Sequence, residues 1–261
     1  MNTARLRSLA ATVLPPLVLG MLFLVAWQTW IIVSDVQPFV VPRPTDIWAS
    51  FIDDFDLVVK ASIVTGMNAF VGLVLGSAFG FLVAVLTNRF RFVSELVSPL
   101  AITVAAIPAV VIVGVLNNMY ALDSQIPRRI MVTISVFFVV FVQVARGLRQ
   151  NDATQMELMR SYAATPFDTL KKVRLPNTMP YFFTGVRIAA PLALIIALVS
   201  EYFGGTQNGL GSKISGTLNS SNKALGFAYV LGGALVGLLF FAGSNLLEYL
   251  VVPWRRRARS K

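Results

Sequence analysis

Glu157-Leu158-Met159, then three residues, Ala163, nine residues more, and Val173-Arg174-Leu175-Pro176: this stretch decides how the chain is read. It is polar and basic, and it lies between two long apolar segments. Asp152 is placed to cap a short helix over residues 152–163, with Met156, Met159 and Ala163 on one stripe. Thr165 can cap a second helix. Pro166 takes its first position, where a missing N–H costs nothing, and Asp168 completes a capping box. Leu175-Pro176 is expected to end that helix. Two helices around a tight corner at Ala163-Ala164 make a convex knob, with Met156, Met159 and Tyr162 as adaptable contacts for a partner. An ordinary polar loop is the alternative.

Composition places this knob in a membrane protein. Of 261 residues, 56% are hydrophobic and 13% charged, where a soluble domain carries about 25% charged residues. Six apolar runs, at about 14–33, 63–86, 97–116, 130–145, 181–200 and 225–252, approach or exceed the length that spans a bilayer. The fourth, at 16 residues, is short. Little soluble mass remains, so residues 1–261 read as one transmembrane domain. The net charge of +10 follows topology rather than nucleic acid. With a cytosolic N-terminus, 15 of the 22 Lys and Arg fall on the inner side, six fall outside, and Arg187 lies within the fifth span. The sequence has no Cys and no His, which excludes disulfides, thiolate or imidazole metal ligands, and Ser-His-Asp or Cys-His catalysis.

Along the chain, Pro15-Pro16 precede the first span, and Val41-Pro42-Arg43-Pro44 must be extended. Thr45 then reads as the N-cap of a short interfacial helix with Trp48, Phe51, Ile52 and Phe55 on one face. Gly72, Gly76 and Gly80 form a small-residue ridge, suited to packing within the bundle or to a subunit contact. Gly226, Gly233 and Gly237 repeat the theme. Pro108, deep in the third run, is expected to kink a helix that lines a pathway or simply packs.

The spacing of residues 157–176 resembles the EAA signature (E-A-A-x3-G-x9-I-x-L-P) of ABC importer permeases, with Leu158, Met159, Ala163 and Val173 at its substituted positions. Val41-Pro42-Arg43-Pro44, Gly185-Val186-Arg187, Glu201 and Gly209-Leu210-Gly211 resemble elements of the nitrate/sulfonate/taurine-type permeases, a subgroup that includes permeases for pyrimidine vitamin precursors. The resemblance covers about residues 10–255 and departs from the subgroup around Asn117–Arg129. It implies an all-α integral membrane protein of six transmembrane helices, with the type I ABC importer permease (MetI-like) fold and both termini cytoplasmic, in the inner membrane. It also implies a cytoplasmic coupling loop at 146–180, in which Glu157, Arg160, Ala163, Ala164, Pro166, Leu175 and Pro176 meet an ATP-binding cassette subunit dimer. The other partners implied are a second permease, commonly an identical copy, and an extracytoplasmic substrate-binding protein. ATP is then bound by a partner, and this chain itself carries no cofactor, metal or catalytic residue. Where the family has glycine, alanine in a left-handed corner costs about 1 kcal/mol, so a more helical corner is expected at Ala163.

For the pathway and its gating, the candidates are Pro108, Gln143, Arg187, Pro191 and Glu201. Arg187 either snorkels to the cytosolic interface or forms a gating ion pair. Glu201 either brackets the outer mouth or is solvated at the interface. Pro191 disturbs the hydrogen bond to the Arg187 carbonyl and makes a natural hinge. Gly204–Lys213 lacks the Gly-Lys-Ser/Thr of a phosphate loop and is expected to be a turn-rich outer loop. An autonomous channel or secondary transporter would need intramembrane charges or repeated halves; only Arg187 and Glu201 qualify. A membrane enzyme would lack clustered carboxylates within the spans.

Overall fold

In the computed structural model, the residues described are 3–89, 109–121, 124–150, 152–204 and 208–251, and all regular structure among them is helical. The helices are α1 (Thr3–Val33), α2 (Pro44–Asp53), α3 (Phe55–Arg89), α4 (Ala109–Met119), α5 (Ile126–Arg149), α6 (Ala153–Ser161), α7 (Pro166–Thr169), α8 (Leu175–Tyr202), α9 (Leu210–Leu218) and α10 (Lys223–Val251). A π-helical segment, Leu170–Arg174, joins α7 to α8 without a break. Among the described residues, five helical stretches are long and apolar enough to cross a membrane: Leu14–Val33, Phe55–Thr87, Ile126–Arg149, Pro166–Tyr202 and Lys223–Val251. Most of the expected third span, including Pro108, lies outside the described residues.

Several boundaries differ from the sequence reading for identifiable reasons. Pro15 and Pro16 lie inside α1 rather than before it. Arg43, not Thr45, is the N-cap of α2, because Pro44 supplies a preset φ at the first helical position and the Asp46 carboxylate accepts from the Arg43 N–H. Phe55 belongs to the next helix. The short fourth run becomes the 24-residue α5, since Pro127 starts the helix and draws Arg128 and Arg129 into its first turn. Leu175-Pro176 does not end the second coupling helix: the chain passes through it into α8.

The core forms where α3, α5 and α8 pack. Val132, Val136, Val140 and Val144 recur every four residues on α5, and Ala189, Ala193 and Ala197 do the same on α8. Large side chains on one helix thus face small ones on the other, and the backbones come close. On α3 the glycine ridge serves the same purpose. A methyl group added at Gly76 would stand 2.6 Å from the Thr133 carbonyl oxygen and 2.7 Å from Val136 Cβ. The ridge therefore packs within the bundle. A second cluster of Phe51, Val58, Ala61, Leu210, Ala228 and Tyr229 holds α2, α9 and α10 against α3 at the far end from the coupling knob.

Candidate functional site

The knob is built as two capped helices around a left-handed corner. The Asp152 carboxylate accepts from the Thr154 N–H at 2.9 Å, and the Thr165 hydroxyl accepts from the Asp168 N–H at 3.1 Å. Between them, Ala163 has φ +50°. The Ala164 N–H reaches the Met159 carbonyl at 3.0 Å and the Ala163 N–H reaches that of Arg160 at 2.9 Å. This pair of bonds is a Schellman motif, which satisfies carbonyls that the end of α6 would otherwise leave free. The corner is therefore not more helical than in the resembling family. Alanine accepts the left-handed conformation, at a cost of about 1 kcal/mol, because both closing bonds require it.

The exposed face of the knob differs from the expected stripe. Met156 and Met159 are half-buried, whereas Leu158, Tyr162 and Phe167 stand out, Tyr162 at 75% and Phe167 at 70% exposure. Glu157, Arg160, Ala163 and Pro166 are exposed beside them, and Ala164 is half-buried in the corner. The knob is also tied to the bundle. Asn177 donates to Gln155 at 2.7 Å, and the Tyr181 hydroxyl donates to Gln150. Tyr181 packs on Gly147 so closely that a Cβ there would lie 2.8 Å from the ring.

The π segment explains why Pro176 does not stop the helix. Proline lacks an N–H and its ring presses on the carbonyl four residues back, that of Lys172. Bonding widens to i−5 here, with the Leu175 N–H reaching the Leu170 carbonyl, which removes the conflict at the cost of one extra residue in the turn.

At membrane depth the candidates separate. Arg187 pairs with Glu248 of α10, Nη1 to Oε2 at 3.3 Å, and is 39% exposed. Gln143 is half-buried beside Gly185, and Pro191 lies within an unbroken α8. Glu201 is 0% exposed and is not solvated at an interface. Its carboxylate accepts from the Thr65 hydroxyl at 2.6 Å, the Asn68 amide at 3.1 Å and the Gly211 N–H at 3.1 Å. Thr65 in turn accepts from the Leu210 N–H at 2.8 Å. Arg128, only 1% exposed, donates to the carbonyls of Ser124 and Gly204 and lies close enough to Glu201 for their charges to interact. Arg129 donates to Asn68 at 3.2 Å. The last four residues of the expected Gly204–Lys213 loop, Leu210 to Lys213, instead open a helix, Leu210–Leu218, whose first N–H groups are held by this network. The structure thus groups Glu201 with Thr65, Asn68 and Arg128 and leaves Gln143, Arg187 and Pro191 apart from it.

Residues 76–257, which include the knob and most of the bundle, match a family model described as binding-protein-dependent transport system inner membrane component. The chain belongs to this family. It is 29% identical over 224 residues to the formylaminopyrimidine transport permease ThiX of Halalkalibacterium halodurans, covering 85% of this chain and 88% of that one. It is 22% identical over 244 residues to the putative aliphatic sulfonates transport permease SsuC of Bacillus subtilis, covering 92% and 87%. The crystal structure of an amino acid ABC transporter with histidines shares the fold, with a TM-score of 0.65 at 15% identity over 78% of this chain and 98% of that one. The chain is a multi-pass ABC importer permease subunit.

In this permease, sequence reading missed Thr65, Asn68 and Arg128. Thr65 and Asn68 are three apart within an apolar run, so helical spacing alone puts both on one face. Arg128 read as an outer-loop charge, whereas Ile126-Pro127 is a helix-start signal that places it inside the span.

Proposed function

We propose that this permease forms the translocation pathway of an ATP-driven, substrate-binding-protein-dependent importer, and that residues 152–176 couple it to a separate ATP-binding cassette dimer. The observation that carries the coupling is the exposed face of Leu158, Tyr162 and Phe167, flanked by Glu157 and Arg160, on a knob bonded to α8 through Gln155 and Asn177. An apolar and charged face of this kind suits a groove on a partner. That tether, with the π segment that runs from α7 straight into α8, passes a displacement of the knob into the spans. In this reading a second copy completes the pathway, an extracytoplasmic binding protein delivers solute, and both termini are cytoplasmic. The solute is a small polar or organic molecule of the kind handled by the sulfonate or pyrimidine-precursor permeases it resembles. ATP binding opens the pathway outward and hydrolysis resets it, so nucleotide state and pathway state share free energy.

The test is reconstitution of the complete complex with ATP hydrolysis and uptake measured together. Glu157→Lys and Ala163→Trp are each expected to separate hydrolysis from uptake, or to release the ATPase, with the bundle still folded. Normal ATP-driven uptake in both variants defeats the coupling role.

A further inference from the structure

The seam between α8 and α10 is packed unlike the seam between α3 and α5. There, a Cβ added at Gly76 would stand 2.6 Å from the Thr133 carbonyl oxygen, so the two backbones are in contact. The outer end of α10 is seated as tightly. A Cβ at Gly232 would stand 2.6 Å from Val58 Cγ1, and one at Gly226 would stand 2.9 Å from both the Thr217 hydroxyl and Leu218 Cδ2. Ala228 and Tyr229, between these glycines, belong to the cluster that holds α10 to α2, α3 and α9. Inward of this seat the fit ends. A groove of about 630 Å³ runs between the helices, with Pro191, Ile195 and Val199 of α8 on one wall and Gly233, Ala234 and Gly237 of α10 on the other. A Cβ at Gly233 or Gly237 would come no closer than 3.5 Å to a neighbouring side chain. The inner half of α10 is lightly held. After Gly233, Ser244 is its one buried residue. Phe240, Ser244 and Glu248, four apart, face the bundle, while Leu239, Phe241, Leu246, Leu247 and Leu250 stand exposed. That line of contact ends in the ion pair from Arg187 Nη1 to Glu248 Oε2, at 3.3 Å and about 24 Å along α10 from Gly232.

We infer that α10 is a lever: it pivots at its outer seat between Gly226 and Gly232, and its inner half swings away from α8 when the Arg187–Glu248 latch opens. The inference rests on the proposed coupling role of residues 152–176, because the coupling segment runs through the π-helical turn into α8 and so moves Arg187 directly. Packing chooses the moving seam. A close-packed interface has no slack, so α3 cannot turn on α5 without forcing backbone into backbone. Along α8 and α10 there is open groove, with side-chain methyl groups to slide past. The latch suits repeated opening, since Arg187 is 39% exposed and its charge can pass from carboxylate to water. A tight seat, a slack middle and a polar catch at the far end are the parts a hinged element needs.

The experiment uses the whole transporter in lipid nanodiscs, with spin labels on Val142→Cys of α5 and Leu250→Cys of α10; both positions are exposed and the chain has no cysteine of its own. A control pair, Val142→Cys with Leu82→Cys of α3, spans the tight seam. Distances are measured by pulsed electron resonance without nucleotide and with a non-hydrolysable ATP analogue. The α5–α10 pair is expected to gain a second, longer distance with the analogue, while the control pair keeps one. Glu248→Gln keeps the side-chain volume and is expected to show the longer distance without nucleotide. The charge exchange Arg187→Glu with Glu248→Arg is expected to restore the single shorter one. An α5–α10 distance that is the same in every state and variant overturns the lever, and would mean that a neighbouring permease or lipid fills the groove and fixes α10. A control pair that shifts as much overturns it too. The Glu248→Gln arm needs no nucleotide, so it separates the two readings. Absence of a copurifying ATP-binding subunit would count against the proposed function, whereas its presence with an unmoving α10 would count against the lever alone.

Discussion

Ala163 holds a backbone conformation that its own Cβ opposes, and this residue sets the direction of the whole knob. Ala163→Gly removes the opposition while both Schellman bonds remain. It is expected to stabilise the corner by about 1 kcal/mol, read as roughly fivefold slower amide hydrogen exchange at Ala163 and Ala164 in the purified complex. Unchanged exchange would mean that the corner is held by packing alone. The spacing in the sequence located this position, and the caps Asp152 and Thr165 were readable because an N-cap acts on backbone only two or three residues away. What the alanine would do was not readable. Intrinsic preference favours the helical conformation, and the choice fell to two hydrogen bonds back to the Met159 and Arg160 carbonyls at the end of α6. The same limit hid the partners of Glu201, which lie 136 and 133 positions away at Thr65 and Asn68.

At the scale of elements, the two glycine series look alike in sequence and act differently in the structure. Gly76 sits against backbone: an added Cβ would meet the Thr133 carbonyl oxygen at 2.6 Å, which a rotamer change cannot relieve. An added Cβ at Gly233 would meet side-chain methyl groups at ordinary contact distance, Leu198 Cδ1 at 3.5 Å and Leu210 Cδ1 at 3.8 Å. Gly76→Ala is therefore expected to cost about 1–3 kcal/mol through overpacking, and Gly233→Ala to stay within about 0.5 kcal/mol. Thermal unfolding of the detergent-solubilised protein compares the two, and equal melting temperatures would contradict the packing assigned to the ridge. The π segment makes a second contrast. The Leu175-Pro176 pair predicted a stop, because a proline conflict is normally relieved by ending a helix; widening one turn relieves it too, and local sequence does not separate the two outcomes. Deleting Lys171 would restore α-helical spacing and rotate the knob by about 100° about the axis of α8. Hydrolysis without uptake in the assembled transporter is the expected result, and retained uptake would show that the knob's angle does not matter.

For the whole molecule, the fold was readable because long apolar runs and a patterned polar segment leave few arrangements, whereas the charged groups at membrane depth were readable only as positions. Arg187 and Glu201 stood out equally in sequence, yet one pairs at a half-exposed site with Glu248 and the other is sealed among four elements. That sealing gives Glu201 a structural weight the sequence did not show. Its carboxylate holds the first turn of α9 to α3 and α8, while Arg128 ties α5 to the end of α8. Glu201→Ala removes the acceptor of three hydrogen bonds and leaves the buried Arg128 charge without its counter-charge, which is expected to destabilise the bundle by about 3–5 kcal/mol. Glu201→Gln keeps the shape and one carbonyl acceptor but loses the charge, so its cost is expected to be smaller, about 1–3 kcal/mol for the bonds it breaks. Adding Arg128→Met to Glu201→Gln removes the uncompensated cation, and the double variant should then be more stable than the sum of the two single losses predicts. Thermal melts of the four proteins close this cycle. Additive losses would mean that Glu201 and Arg128 act on the bundle independently, through their separate hydrogen bonds, and that the charge between them contributes nothing to holding α9 in place.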